Sequence, residues 1–504
     1  MTSARGRVWL VGAGPGDPGL LTRKAARAIA ECDVLVYDYL VSPAIVALAP
    51  PACERIYVGK KAGDHTLTQD EITELIVRLG RDGKRVVRLK GGDPFVFARG
   101  GEEAAALRAA GVPFEIVPGI SSALAAPAYA GIPVTHRDHN TSFVVATGHE
   151  DPSKGHSSLD FAKLANPAQT LVFLMAMGNL ASIVGKLREH GMPGDMPVAI
   201  VREGTKPTQE TLVATLATIV SEVERTRFAA PAIVVIGNVV REREAIRWFD
   251  TSPLFGRRVL VTRPLEAGAA FAERLWELGA EPVVAPAIAL GPPDDPAPAR
   301  AALEALGSYA WVVFTSRSGV DACFAGLHDL GADARRFGAA KVAAIGAATA
   351  ERLARSGVRA DFVPATFVAE ELAEGLIART QRGDRILLFG AQVMRGALGE
   401  RLAGAGRAVE AVAAYKTTQL RDPALARAAE ATDIWTFASA SAVEGFVANV
   451  ADAAELRRTK LVACIGPVTA AAAAQAGLGP DVVAADSSVE ALLEALAFAA
   501  SHAP

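Results

Sequence analysis

Five short stretches hold side chains able to do chemistry beside glycines that would let backbone approach a ligand. Asp38 ends the apolar run VLVY, and Lys60 and Lys61 follow RIYVG. Lys90, Gly91, Gly92 and Asp93 close RVVRL, Arg99 precedes a second glycine pair, and Ser121 and Ser122 follow Pro118-Gly119. A carboxylate among lysines and arginines suits proton management and the binding of an acidic substrate. Paired glycines lack Cβ atoms, so main-chain N–H and C=O groups can line the ligand directly. Each feature also has a plain structural reading: Asp38 and the serines as caps, the glycines as tight turns, the lysines as solvated.

The loop GAGPGDPG after the first apolar run resembles a dinucleotide fingerprint, but its spacing is wrong for one. Gly12, Gly14 and Gly16 give GxGxG, and Asp17 occupies the place of the third glycine, where its carboxylate would repel a pyrophosphate. Pro15 removes a further N–H from the loop. A ligand without phosphates fits better.

These stretches need elements to position them. Strands are expected at 8–11, 34–37, 55–58, 85–89 and 114–117, alternating with helical patterns, and the alternation resumes from Phe143 through 170–175 and 197–201 to 232–237. Met175 and the REGTKPTQ loop, with Gly204, fall at strand ends. Residues 1–250 therefore read as two α/β lobes, about 1–118 and 119–245. His136 and His139 stand three apart with no third ligand in sight, so no metal is expected.

Beyond the TSP break at Thr251 the chain repeats itself. WVVFTSRSGVDACF and IWTFASASAVEGF share strand, Ser-rich turn and helix, and KVAAIGAATA and KLVACIGPVTA share strand, Ile-Gly and Thr. Two like α/β domains facing a cleft are expected. Helix starts at Thr315, Ser316, Ser439 and Thr469 would face an anionic ligand or simply cap their helices.

At 504 residues several domains are expected, and 51% apolar with 21% charged residues is a soluble globular balance. A net charge of −3 gives no general attraction to nucleic acid or an acidic membrane. Four dispersed cysteines without a CxxC pair suit a reducing cytoplasm. No stretch reads as a signal peptide or membrane helix, since the longest uncharged run, 116–135, carries three prolines.

The blocks GAGPGDP, VYDYLVS, VGKKAG, VVRLKGGDPFVFARGGEE, VPGISSALAAPAYAGIPVTHRD and VREGTKPTQ together resemble uroporphyrinogen-III C-methyltransferase, of the tetrapyrrole methylase family, across residues 6–250. The resemblance implies S-adenosylmethionine as methyl donor, S-adenosylhomocysteine as by-product, and two C-methylations of uroporphyrinogen III to precorrin-2. It implies cofactor contacts at Pro15, Gly91, Gly92, Asp93, Val96, Ser121, Ser122, Met175 and Gly204, with Asp38 and Lys60 as proton acceptor and donor. Lys61, Arg88, Arg99 and Arg137 are candidates to meet substrate carboxylates. Where the family has glycine this chain has Ala98 and Ala176, which would be strained if either backbone needed a positive φ. Dimerisation through this half is also implied.

The second half resembles uroporphyrinogen-III synthase over about 256–500, on VLVTRP, the two Ser-rich copies, the two IGxxTA copies and Tyr415 in AAYKT. This implies a two-domain, flavodoxin-like α/β fold, one domain from about 257–291 with 418–500 and the other from about 297–416. It further implies cyclisation of hydroxymethylbilane with inversion of ring D, Tyr415 assisting departure of the hydroxyl. The alternative is a non-catalytic ligand-binding or regulatory module in 251–504.

Overall fold

The computed structural model describes residues 6–59, 67–149, 158–365, 369–394 and 396–502. The chain divides into two compact units, Met1–Arg257 with Glu273–Glu281, and Arg258–Ala272 with Pro282–Pro504.

The first unit opens with a wholly parallel sheet in the order Glu54–Tyr57, Val34–Tyr37, Arg85–Lys90, Arg7–Gly12, Phe114–Val117. Its central strands are apolar on both faces: Val8, Leu10, Val11, Leu35, Val36, Val87 and Leu89 are at most 1% exposed. That is the pattern of a sheet covered by helices on either side. Each such side chain contributes about 1.5–3 kcal/mol by leaving water. The covering helix Gln69–Arg81 starts at a capping box between Thr68 and Glu71 and turns Ile72 and Ile76 inward.

The second sheet of this unit runs Ser142–Thr147, Gln169–Leu174, Ala232–Ile236, Pro197–Arg202, Glu210–Thr215. Only its first pair is parallel; the other three are antiparallel. Strands 197–202 and 210–215 are joined by the short REGTKPTQ loop, which is too short for a crossover helix and so must return antiparallel.

The second unit also holds two sheets. One is Glu281–Val284, Arg258–Val261, Ile434–Phe437, Leu461–Cys464, Val482–Val483; its second and third strands are parallel although some 175 residues apart in sequence. The other is Ile288–Gly291, Ala408–Gln419, Arg385–Ala391, Trp311–Phe314, Lys341–Ala344. Ala408–Gln419 pairs parallel with Arg385–Ala391 through its first part and antiparallel with Ile288–Gly291 through its end. Equivalent contacts recur in both sheets: Asp361 accepts from Val342 N–H and Asp481 from Val462 N–H, while Ser316 and Ser439 cap the helices that follow the strands 311–314 and 434–437.

No helix among the described residues is long and apolar enough to cross a membrane. All four cysteines are buried and free, Cys32 and Cys53 with sulfurs 3.3 Å apart.

Candidate functional site

Three loops at the carboxyl ends of the first sheet's strands meet backbone to backbone. Gly14 and Gly92 exchange two hydrogen bonds, N to O at 3.1 and 2.7 Å. Asp93 fastens the third loop, accepting from Phe95 N–H at 2.8 Å and Gly119 N–H at 3.0 Å. A Cβ on Gly119 would lie 2.3 Å from the Gly92 carbonyl oxygen, and one on Gly12 would lie 2.5 Å from Gly119 Cα, so the junction admits no side chain. Gly92 itself has φ +68°. Ser121 caps the helix Ser122–Tyr129 by accepting from Ala123 N–H. The sequence expectation for Gly91, Gly92, Asp93, Ser121 and Ser122 thus falls on one continuous surface, with Val96 partly buried just beyond it.

Asp38 stands at the end of Val34–Tyr37, about one-fifth exposed, accepting from Leu40 N–H at 3.2 Å and from both terminal nitrogens of Arg88 at 3.5 Å. Arg88 is 3% exposed and donates also to the Leu89 carbonyl, so this cation is committed inside the protein and is not free to meet a substrate carboxylate. Behind it lies Glu103, fully buried, whose Oε1 accepts from Lys90 Nζ at 2.8 Å, Gln69 Nε2 at 3.0 Å and Arg88 Nε at 3.4 Å. Glu103 Oε2 has no partner. Burial first, then the charge of Arg88, pulls the Lys90 ammonium below the ordinary lysine range. Two cations and two anions therefore form a chain from the interior to the one exposed member, Asp38. Sequence reasoning missed Glu103, because an acid in a helix's first turn ordinarily faces solvent as a cap.

Asp17 is 8% exposed. It accepts from Tyr129 Oη and Gly19 N–H, both at 2.7 Å, while its own N–H donates to Thr205 Oγ1 at 3.1 Å. Burial pushes its carboxyl up, opposed by the bonds from Tyr129 and Gly19. It is a fastening between loops, and Pro15 beside it is partly buried. Backbone strain gathers at the same strand ends: Phe97, Arg99, Met175, Glu203 and Thr205 all have positive φ. Such conformations cost on the order of 1–3 kcal/mol each and collect at ligand sites. Ala176, at φ −90°, carries none of that strain, and Ala98 is absent from the positive-φ residues; the left-handed turns fall on their neighbours. A Cβ on Gly204 would meet the Ala126 side chain at 2.4 Å, so this loop packs directly on the helix 122–129. Tyr39, Leu40, Phe95, Phe97, Leu124 and Met175 are large apolar side chains left exposed on the elements that carry these loops.

Lys60 and Lys61 lie outside the described residues. Arg99 is exposed and paired with Glu102 at 2.6 Å, and Arg137 is exposed. The histidine pair gains a third donor: His136, His139 and Glu242 offer atoms within 4.8 Å of one another. One ring nitrogen of each histidine is already engaged, His136 Nδ1 by Asp138 N–H at 3.2 Å and His139 Nε2 by Glu242 Oε1 at 2.7 Å.

In the second unit Tyr415 Oη lies 3.0 Å from Ser316 Oγ, which also accepts from Gly319 N–H. The bulge at Gly390 and Ala391 brings Tyr415 into register opposite Ala391. Thr315 and Ser439 are partly exposed, and Ser439 caps the next helix. Thr469 is 4% exposed, in the first turn of the helix Pro467–Gln475.

Residues 7–220 match the family model of the tetrapyrrole (corrin/porphyrin) methylases, and residues 269–494 match that of uroporphyrinogen-III synthase HemD. The porphyrin biosynthesis protein HemD of Ruminiclostridium josui is 38% identical over 97% of both chains. The S-adenosyl-L-methionine-dependent uroporphyrinogen III methyltransferase of Methanosarcina barkeri is 52% identical over 48% of this chain and 94% of its own. A crystal structure of the Thermus thermophilus uroporphyrin-III C-methyl transferase complexed with S-adenyl homocysteine aligns at 41% identity over 47% of this chain and 99% of its own, with a TM-score of 0.41.

Proposed function

Because this chain belongs to the family in which a tetrapyrrole methylase is fused to a uroporphyrinogen-III synthase, we propose that it performs two consecutive steps of tetrapyrrole synthesis. The second half closes hydroxymethylbilane to uroporphyrinogen III with ring D inverted and water lost. The first half then methylates that product twice, giving precorrin-2 and two molecules of S-adenosylhomocysteine. The observation that carries the methylase reading is the side-chain-free junction of Gly12, Gly92 and Gly119 beside the partly exposed end of a buried charge chain.

In this reading the loops at Pro15, Gly91–Asp93, Val96, Ser121, Ser122, Met175 and Gly204 hold S-adenosylmethionine by main-chain contacts, and the exposed apolar residues receive the face of the macrocycle. A pyrrole carbon attacks the sulfonium methyl; the new C–C bond forms as the S–C bond breaks, so the protein's main contribution is orientation. Asp38 is placed to steady the cationic pyrrole and accept its proton. Lys60 is the assigned donor, and Lys61, Arg99 and Arg137 meet substrate carboxylates. In the second half Tyr415, with Ser316 as its hydrogen-bond partner, donates to the departing hydroxyl, and Thr315 and Ser439 present polar atoms to the bilane. Domain limits near 250, and within the second half at 257–291 with 418–500 against 297–416, a homodimer through the first half, and a cytoplasmic location belong to the same proposal. Four free cysteines support the last, and light scattering on the purified chain tests the dimer.

The test is to incubate the purified chain with hydroxymethylbilane, with and without S-adenosylmethionine, and to separate tetrapyrrole isomers by chromatography and mass. The III isomer without donor and a doubly methylated product with it are expected. Accumulation of the I isomer, while supplied uroporphyrinogen III is still methylated, would make the second half a binding module.

A further inference from the structure

Arginines that serve the fold of the second unit are saturated. Arg407 donates to the carbonyls of Ile377, Thr380 and Ala405 and to Thr380 Oγ1; Arg457 donates to Leu478, Gly479 and Lys460 carbonyls and to Asp481. Arg263 is different. It is 8% exposed, its Nη1 is buried without a hydrogen-bond partner, and among the described residues no carboxylate lies in ion-pair range. Its guanidinium sits 5.9 Å from the centroid of the Phe271 ring. Burial and the nearby charge of Arg317 pull it down to about 10, with Glu490 opposing. A charge buried without a counter-ion costs the fold several kcal/mol and is kept only where something offsets it.

Its position says what that is. Arg263 follows the strand Arg258–Val261 at its carboxyl end, in a parallel sheet whose next strand, Ile434–Phe437, leads into the helix capped by Ser439. Ligands of open α/β sheets sit outside the carboxyl ends of the strands. Arg317, exposed in the first turn of the helix capped by Ser316, adds a second guanidinium, and Ser316 is the partner of Tyr415.

We propose that Arg263, with Arg317 beside it, is the anion anchor of the second unit, receiving a side-chain carboxylate of an acidic tetrapyrrole through a paired guanidinium–carboxylate contact. The identity of that ligand rests on the synthase reading above; the anion site does not. The anchor binds substrate and takes no part in bond making.

The test uses the full chain and the variants R263M, R263K and R317Q. Cyclisation of hydroxymethylbilane without methyl donor should show KM raised about tenfold or more in R263M, the scale of one lost charged hydrogen bond, with kcat changed less. R263K should recover part of the loss. R263M should unfold at the same or a higher temperature than the parent, because it removes an uncompensated buried charge. Mellitate, a benzene hexacarboxylate, should raise the unfolding temperature of the parent and not of R263M. A lower unfolding temperature in R263M with KM and mellitate protection unchanged overturns the proposal and makes Arg263 a packing residue. Should R263M fail to fold, unchanged KM and mellitate protection in both R263K and R317Q overturn it equally. If the parent does not cyclise the bilane while mellitate still protects it and not R263M, the synthase reading falls and the anion site stands.

Discussion

Glu103 decides more at the scale of single residues than its place in a helix start suggests. With Lys90, Arg88 and Asp38 it makes a neutral set of four charges, three of them buried. E103Q leaves two buried cations facing one anion, and a loss on the order of 3 kcal/mol of stability is expected in urea unfolding. The methylation rate should fall more than tenfold while S-adenosylmethionine affinity, measured by calorimetry, changes little, because Arg88, which meets Asp38, would lose the carboxylate that fixes it from behind. D38N tests the proton role directly: a similar fall in rate is expected, with a smaller loss of stability than in E103Q because Asp38 is partly exposed and meets Arg88 only at 3.5 Å. Asp17 gives a pH dependence of definite sign. A carboxyl raised by burial costs the folded state stability above its raised value, and that cost disappears as pH falls through it. The unfolding temperature of the parent relative to D17N should therefore decline as pH rises from about 4 to about 7.

The strand ends, as elements, were legible where glycine wrote them. Gly91-Gly92-Asp93 and Pro118-Gly119-Ser121 could be read as ligand-facing loops because missing side chains are visible in a sequence. The strain at Met175, Phe97 and Thr205 was not legible, since nothing in a methionine, a phenylalanine or a threonine announces a positive φ. Glu103 and Arg263 were missed because burial of a charge depends on what packs over it, which local pattern does not carry. The antiparallel pairs of the second sheet were hidden for the same reason: strand and helix signals alternate there much as in a parallel sheet, and direction is set by connection length. A pair of glycine substitutions tests the junction. Gly119→Ala brings a Cβ to 2.3 Å from the Gly92 oxygen and should weaken S-adenosylmethionine binding at least tenfold; Gly101→Ala, with nothing within 4 Å, should bind normally and gain about 0.5–1 kcal/mol from helix propensity.

For the whole molecule, the order of the chain makes the two halves unequal. Every strand of the first unit's two sheets lies between Arg7 and Ile236, so both are complete within the first half of the sequence. The second unit is built the other way: Arg258–Val261 must wait for Ile434–Phe437, which is among the last strands made. Closing so long a loop is slow, and domains emerging from a ribosome fold in order. The methylase half can thus fold while its neighbour is still being translated, and the strand 258–261, with only Glu281–Val284 on one side, keeps its other edge open until most of the chain has left the tunnel. Nascent chains stalled at about residue 420 should resist protease up to residue 250 and be cut beyond it. The half that acts second in the reaction sequence is the one that is born first.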